Sequence, residues 1–221
     1  MYKTVIFDLG KVLVHFDFQP GYRSLAELCP YSAEQIPRRI APTGLVERLE
    51  TGRAEPRAFF EELRETLGLR LDYEGFCGVW NGIFTEPLIP ESLLAGLAAR
   101  YRLLLLSNTN ALHFEMLRER YHFLLRHFHS LILSYEVHAM KPNPEIYRAA
   151  IERAGCLPGE CFYTDDIQAF VEGGRAMGLD AVQFENLAQL EREMKARGIR
   201  WESRLPAIES VYRLPGSGER L

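Results

Sequence analysis

Nothing in these 221 residues approaches the ~20 consecutive apolar positions that a membrane-spanning helix requires; the longer apolar runs, such as Leu103 to Leu106 and Leu131 to Leu133, are a fraction of that. Positive charge is also short. Lys and Arg number 26 against 30 Asp and Glu, a formal net charge of -4, and a nucleic-acid or anionic-membrane partner would want a clustered positive field. The four cysteines, Cys29, Cys77, Cys156 and Cys161, form no CxxC and no zinc spacing, so they read as reduced thiols and not as a disulfide or metal framework. The opening MYKTVIFDLG offers no small-residue cleavage site, and its apolar part runs straight into an acid, so it reads as a strand and not a signal peptide. No internal repeat and no low-complexity tract is present. These absences leave a cytoplasmic protein, monomer or homodimer, that works on a small molecule.

What is present is an ordinary globular composition, 47% hydrophobic and 25% charged. The length suits one well-buried core with a smaller second unit. Short apolar runs at Thr4 to Phe7, Arg102 to Leu106, Ser130 to Ser134, Cys161 to Tyr163 and Ala181 to Phe184 alternate with segments of helical period, the pattern of an α/β fold with a parallel sheet. One such helix carries Ile146, Tyr147, Ala150, Ile151 and Ala154 on a face, with Asn143 to cap it, Pro144 at its first position and Gly155 as a left-handed stop. Residues 19–87 break the alternation: only helical patterns occur there and no convincing strand. In residues 56–67, Phe59, Phe60, Leu63 and Leu67 share one face. The expected organisation is therefore an α/β core over residues 1–18 and 88–200, a helical cap over 19–87, and a tail over 201–221.

The chemistry gathers at strand ends. Asp8 closes the first strand, where open α/β sheets bind ligands at their carboxyl edge. The second long run ends in Ser107-Asn108-Thr109-Asn110 before a helix, so a hydroxyl and backbone N–H groups meet at a helix start that suits an anion, although a plain N-cap by Ser107 or Asn110 would look the same. Lys141 precedes the Asn143-capped helix and offers an ammonium to a phosphate and to the carboxylate attacking it. The fourth run ends in Asp165-Asp166. Two adjacent acids disfavour each other's charge unless a cation sits near, and magnesium fits because it takes hard oxygens from one or two carboxylates and keeps the rest of its shell for water and phosphate.

In this order, FDLGKVLVHFDF, LSNTN, MKPNPEIY and YTDD resemble the four motifs of the haloacid dehalogenase superfamily over residues 1–184, with a helical insertion placed like its C1-type cap; the motifs look most like the sugar-phosphate and glucose-1-phosphatase-like branch. The resemblance implies a five-stranded Rossmann-like, doubly wound core and a Mg2+-dependent phosphatase acting on a small phosphorylated metabolite, a sugar phosphate first. It implies Asp8 as the nucleophile that becomes an aspartyl-phosphate, Ser107 and Asn108 as phosphate ligands, and Lys141 as charge anchor. Asp8, the Gly10 carbonyl and Asp166 would meet the metal, with Asp165 helping through water or as a further ligand.

One departure stands out. Most phosphatases of this superfamily carry a second aspartate, the acid and base of the reaction, where this chain has Gly10. A positioned acid or base is worth about 10²–10⁴-fold in rate, so the expectation is a preference for activated esters or anomeric phosphates. His15 and Asp17 are the nearby substitutes, though a turn or hinge role suits each as well. Lys11 stands where the pattern more often has glycine or asparagine. Two other readings compete: a hydrolytic 2-haloacid dehalogenase, which also lacks the second aspartate but uses no metal, and a non-catalytic phosphometabolite-binding protein. His127, His129 and the aromatic group around Trp80 read as packing residues, and Arg48 and Arg53, flanking Thr51-Gly52, as a specificity element on the cap.

Overall fold

Buried parallel strands need apolar residues on both faces, and those are what the short runs supply. The computed structural model describes residues 1–201, so all but the first residue of the expected tail lies outside the described residues. Seven strands form: β1 (Thr4–Phe7), β2 (Val14–Phe16), β3 (Phe84–Pro87), β4 (Arg102–Ser107), β5 (Ser130–Leu133), β6 (Cys161–Asp165) and β7 (Asp180–Gln183). Five make a parallel sheet in the order β5-β4-β1-β6-β7, with β1 central. The chain leaves β1 toward one edge and later crosses to the other, so the crevice at the carboxyl ends of β1, β4 and β6 is the topological switch point where α/β sheets bind ligands.

The period of two along β1 divides the core. Val5 and Phe7 point into one apolar layer with Leu103, Leu105 and Phe162, while Ile6 points into the other with Leu104, Leu106 and Tyr163. Helix Leu187–Ala196 closes the first layer and helices Pro144–Ala154 and Gln168–Ala176 the second. The punctuation works as the residue types dictate. Asn143 accepts the Glu145 N–H at 3.0 Å, Pro144 follows, and Gly155 ends the helix at φ 66°.

Between β2 and β3 lie the helices Phe18–Ala26, Gln35–Ile40, Leu45–Glu50, Pro56–Leu67 and Tyr73–Asn81. Their apolar faces form a separate core, in which Phe59, Phe60, Leu63 and Leu67 meet Phe76 and Trp80. The expectation of no strand in residues 19–87 is corrected by β3, which pairs antiparallel with β2. Each partner is only three or four residues long, mostly exposed or half-buried, and some seventy positions from the other, so neither has a periodicity to read. Together they tie the insertion to the core as a two-stranded ribbon.

Helix Gln168–Ala176 approaches β6 so closely that a Cβ at Gly174 would lie 2.8 Å from Cδ1 of the fully buried Tyr163 ring. Gly174→Ala should therefore lower stability by about 1–3 kcal/mol despite the better helix propensity of alanine, read from the urea midpoint at constant m-value. Unchanged stability would mean that the ring has room to yield.

Candidate active site

The four segments singled out in the sequence end on one edge of the sheet, around a cavity of about 380 Å3. Asp8 follows β1 and is buried, its backbone N–H held by the Thr164 carbonyl at 3.0 Å. Lys141, 3% exposed, reaches across the strand ends. Its Nζ donates to Asp8 Oδ1 at 2.7 Å, to Asp165 Oδ2 at 2.6 Å and to the Leu106 carbonyl at 3.0 Å, which uses all three of its donors. Burial pulls this amine down, but the charges of Asp8 and Asp165 outweigh it and hold the ammonium above its ordinary value. For Asp8 the balance runs the other way: burial pushes its carboxyl up, to about 7, against the opposing pull of Lys141.

The adjacent acids Asp165 and Asp166 have different surroundings. Asp165 is fully buried, with Oδ2 taking the Lys141 ammonium and the Tyr163 hydroxyl, and Oδ1 taking the Ile167 N–H at 3.0 Å. Asp166 is half-buried and lines the cavity. Carboxylate oxygens of Asp8, Asp165 and Asp166 lie within 4.8 Å of one another. Among the described residues Lys141 is the cation bonded to this mostly buried cluster, with the Lys11 ammonium acting on Asp166 from further out, and an all-oxygen donor set of three crowded carboxyls fits a hard divalent cation such as magnesium.

Ser107, 2% exposed, and Asn108 also line the cavity. Among the described residues, the Ser107 hydroxyl makes only a long 3.4 Å bond to the Asn108 carbonyl, which leaves it available to a ligand. The Asn108 side chain is engaged within the protein, which leaves its backbone N–H as the group that faces a ligand here. Its amide clamps the Lys141 backbone, Nδ2 donating to the carbonyl at 3.0 Å and Oδ1 accepting the N–H at 2.8 Å. The helix cap belongs to Asn110, whose Oδ1 accepts the His113 N–H at 3.0 Å.

Gly10 lies beside the nucleophile position, and a Cβ there would come within 2.5 Å of the Phe16 ring. The space that a second aspartate would need is filled by Phe16. Neither nearby substitute reaches the cavity: His15 pairs with Thr85 at 2.9 Å, and Asp17 caps helix Phe18–Ala26 by accepting the Gln19 N–H at 2.9 Å. Lys11 is exposed at a left-handed φ of 58°, the reason glycine or asparagine would suit that place, with its Nζ 5.2 Å from the Phe16 ring centre. Arg48 and Arg53 pair with Glu62 and Glu47 and do not line the cavity.

Two ionisable cavity residues were not singled out in the sequence. Glu50, at the end of helix Leu45–Glu50, is half-buried, and burial alone pushes its carboxyl up to about 7. His113 is buried, stacks on Trp80 with ring centres 5.9 Å apart, and has both nitrogens engaged, by the Trp80 carbonyl at 3.2 Å and by Asn110 Nδ2 at 3.2 Å. A glutamate on an amphipathic helix reads as solvent-facing, and a lone histidine carries no pattern, so no local signal marks either.

Residues 2–178 match the haloacid dehalogenase-like hydrolase family. The D-ribitol-5-phosphate phosphatase of Bacteroides thetaiotaomicron is 29% identical over 201 residues, 88% of this chain and 97% of the relative. A HAD family enzyme of the same organism, solved in complex with magnesium and inorganic phosphate, superposes with a TM-score of 0.76 at 26% identity, covering 86% of this chain and 99% of its own. A predicted HAD-like hydrolase from Porphyromonas gingivalis superposes at 0.77 with 27% identity, over 88% and 98% of the two chains.

Burial lowers the His113 pKa to about 4. Between that value and the ordinary one near 6.5, the unfolded chain binds a proton that the native chain refuses, so stability falls as pH drops through this window and is unaffected above it. The expected slope is about 1.4 kcal/mol per pH unit. Urea midpoints of wild type and His113→Gln between those pH values should converge toward acid, and parallel curves would show that His113 titrates normally.

Proposed function

The chain belongs to the haloacid dehalogenase-like hydrolase family, and on that footing we propose that it is a magnesium-dependent phosphatase of small phosphorylated metabolites, sugar or polyol phosphates first. The observation that carries the reading is the cluster of three carboxyls, Asp8, Asp165 and Asp166, crowded around one bonded ammonium and open to a cavity that Ser107 and Asn108 also line. A metal-free dehalogenase would have to hold those charges with Lys141 and, at Asp166, the exposed Lys11 alone. The likeness to a ribitol-5-phosphate phosphatase over nearly its whole length supports the substrate class.

Asp8, Asp166 and the Gly10 carbonyl are the groups that would hold magnesium, with Asp165 behind them tied to Lys141. A divalent ion held there would supply positive charge to the phosphate oxygens and would favour the carboxylate form of Asp8. The protein's residues do the rest. Ser107 and the Asn108 backbone N–H take phosphate oxygens, and Lys141 fixes the attacking carboxylate by its Oδ1. Asp8 attacks phosphorus in line as the ester oxygen departs, an acyl phosphate forms, and water then attacks the same phosphorus to release phosphate and free Asp8. Phe18 and Phe84, from the first helix of the insertion and from β3, give the cavity an apolar part of its wall. The chain acts as a monomer or homodimer.

Phosphate release from a panel of sugar and polyol phosphates tests the reading directly. Release should require magnesium and stop on chelation. Asp8→Asn should lower kcat by roughly 10⁴-fold or more while inorganic phosphate still raises the melting temperature. Turnover by the Asp8→Asn variant, or halide release from a 2-haloacid without metal, would reject the reading.

A further inference from the structure

Gly10 leaves the reaction without an acid for the departing oxygen, and Phe16 occupies the place where the missing side chain would stand. Any replacement must therefore come from another wall of the cavity. The ionisable side chains that line it are Asp8, Lys11, Glu50, His113, Lys141 and Asp166. Asp8 is the attacking group, and Asp166 belongs to the cation cluster. Lys141 has all three donors engaged. His113 has both nitrogens bonded within the protein and is uncharged at neutral pH. Lys11 is exposed, and its ammonium lies against the Phe16 ring. Only Glu50 remains, and it has no hydrogen bond or ion pair among the described residues.

Its position is held firmly. The turn that follows it docks on the core: the Thr51 carbonyl bonds His138 Nδ1 at 2.9 Å, and Gly52, at φ 65°, lies so close to the Tyr135 carbonyl that a Cβ would come within 2.2 Å of it. An unpartnered carboxyl thus lines the cavity from a helix of the insertion, an element other than the strand ends that carry Asp8, and in-line attack sends the ester oxygen away from Asp8. Resting on the phosphatase reading above, we propose that Glu50 is the acid and base of the reaction, in place of the aspartate that Gly10 excludes.

The protonated carboxyl of Glu50 gives its proton to the ester oxygen as the phosphorus–oxygen bond breaks and its electron pair passes to that oxygen. The bond from Asp8 to phosphorus forms in the same step. Glu50, now a carboxylate, takes a proton from water as the water oxygen bonds to phosphorus and the Asp8 bond breaks. The products are the alcohol and phosphate, and Glu50 is again protonated. Burial, which pushes this carboxyl up to about 7, suits a group that must hold and release a proton near neutral pH. With Glu50 in this role the chain is not confined to activated esters.

The test compares wild type, Glu50→Gln and Glu50→Asp, each with magnesium, on glycerol phosphate and on p-nitrophenyl phosphate, whose leaving group needs no proton. In Glu50→Gln, glycerol phosphate turnover should fall by about 10²–10⁴-fold. With p-nitrophenyl phosphate the same variant should still release about one equivalent of nitrophenolate in a burst, and then turn over slowly, because the second step has lost its base. Glu50→Asp should recover part of the glycerol phosphate rate, and inorganic phosphate should stabilise all three proteins against heat alike. Glycerol phosphate turnover within about threefold of wild type in Glu50→Gln would overturn the proposal, since a lost acid is worth far more. Loss of the nitrophenolate burst, or of stabilisation by phosphate, would overturn it in favour of a binding or structural role. If wild type releases phosphate while Asp8→Asn does not, an unaffected Glu50→Gln rejects Glu50 alone; if wild type hydrolyses neither ester, the phosphatase reading falls and the proposal with it.

Discussion

One ammonium, 3% exposed, organises the carboxyl edge of the sheet. Lys141 bonds the acid that follows β1, the acid that ends β6 and a carbonyl near the end of β4, so three neighbouring parallel strands are drawn to a single point charge. Removing one partner from such a buried arrangement costs about 3–5 kcal/mol, because the charges left behind can neither pair nor reach water. The lysine is in turn fixed by its own backbone, which the Asn108 amide grips from both sides. Position is therefore imposed on Asp8 before any ligand arrives.

The same ammonium also separates the roles of two adjacent acids. Successive residues at a strand end point to opposite sides, so Asp165 turns inward to Lys141 and Tyr163 while Asp166 meets the cavity. Lys141 compensates only one of the three negative charges that share this edge. A divalent ion completes the balance, and a phosphate ester brings further charge that the ion and the helix-start N–H groups can take. Electrostatic need, more than shape, is what commits this crevice to phosphoryl chemistry.

Much of this was legible in the chain because it depends on local rules. The sheet strands announce themselves as short apolar runs, and helix Pro144–Ala154 carries its cap, its first-turn proline and its stop in plain view. Asp8, Ser107, Lys141 and the paired acids share one feature, a place just beyond an apolar run, which is why they read as one edge. What escaped depends on contacts between distant segments. The ribbon of β2 and β3 exists only because its halves meet, and the use of the Asn108 side chain depends on a backbone 33 positions away. Glu50 looks like any acid on an amphipathic helix until the insertion folds over the sheet. Phe16 gives Gly10 its meaning, since the glycine reads as a lost acid in sequence and as a ring's neighbour in space.

Gly52 sets how closely the insertion can lie on the core. Its left-handed backbone and the 2.2 Å separation between a would-be Cβ and the Tyr135 carbonyl mean that no side chain of any kind fits there while the insertion is seated. The insertion is thus fastened at points far apart in sequence: the β2–β3 ribbon, the stacking and bond between Trp80 and His113, and this bare stretch of main chain. Among these the Gly52 contact sets main chain against main chain, so how near the Glu50 end of its helix comes to the core is decided there without any side chain between them.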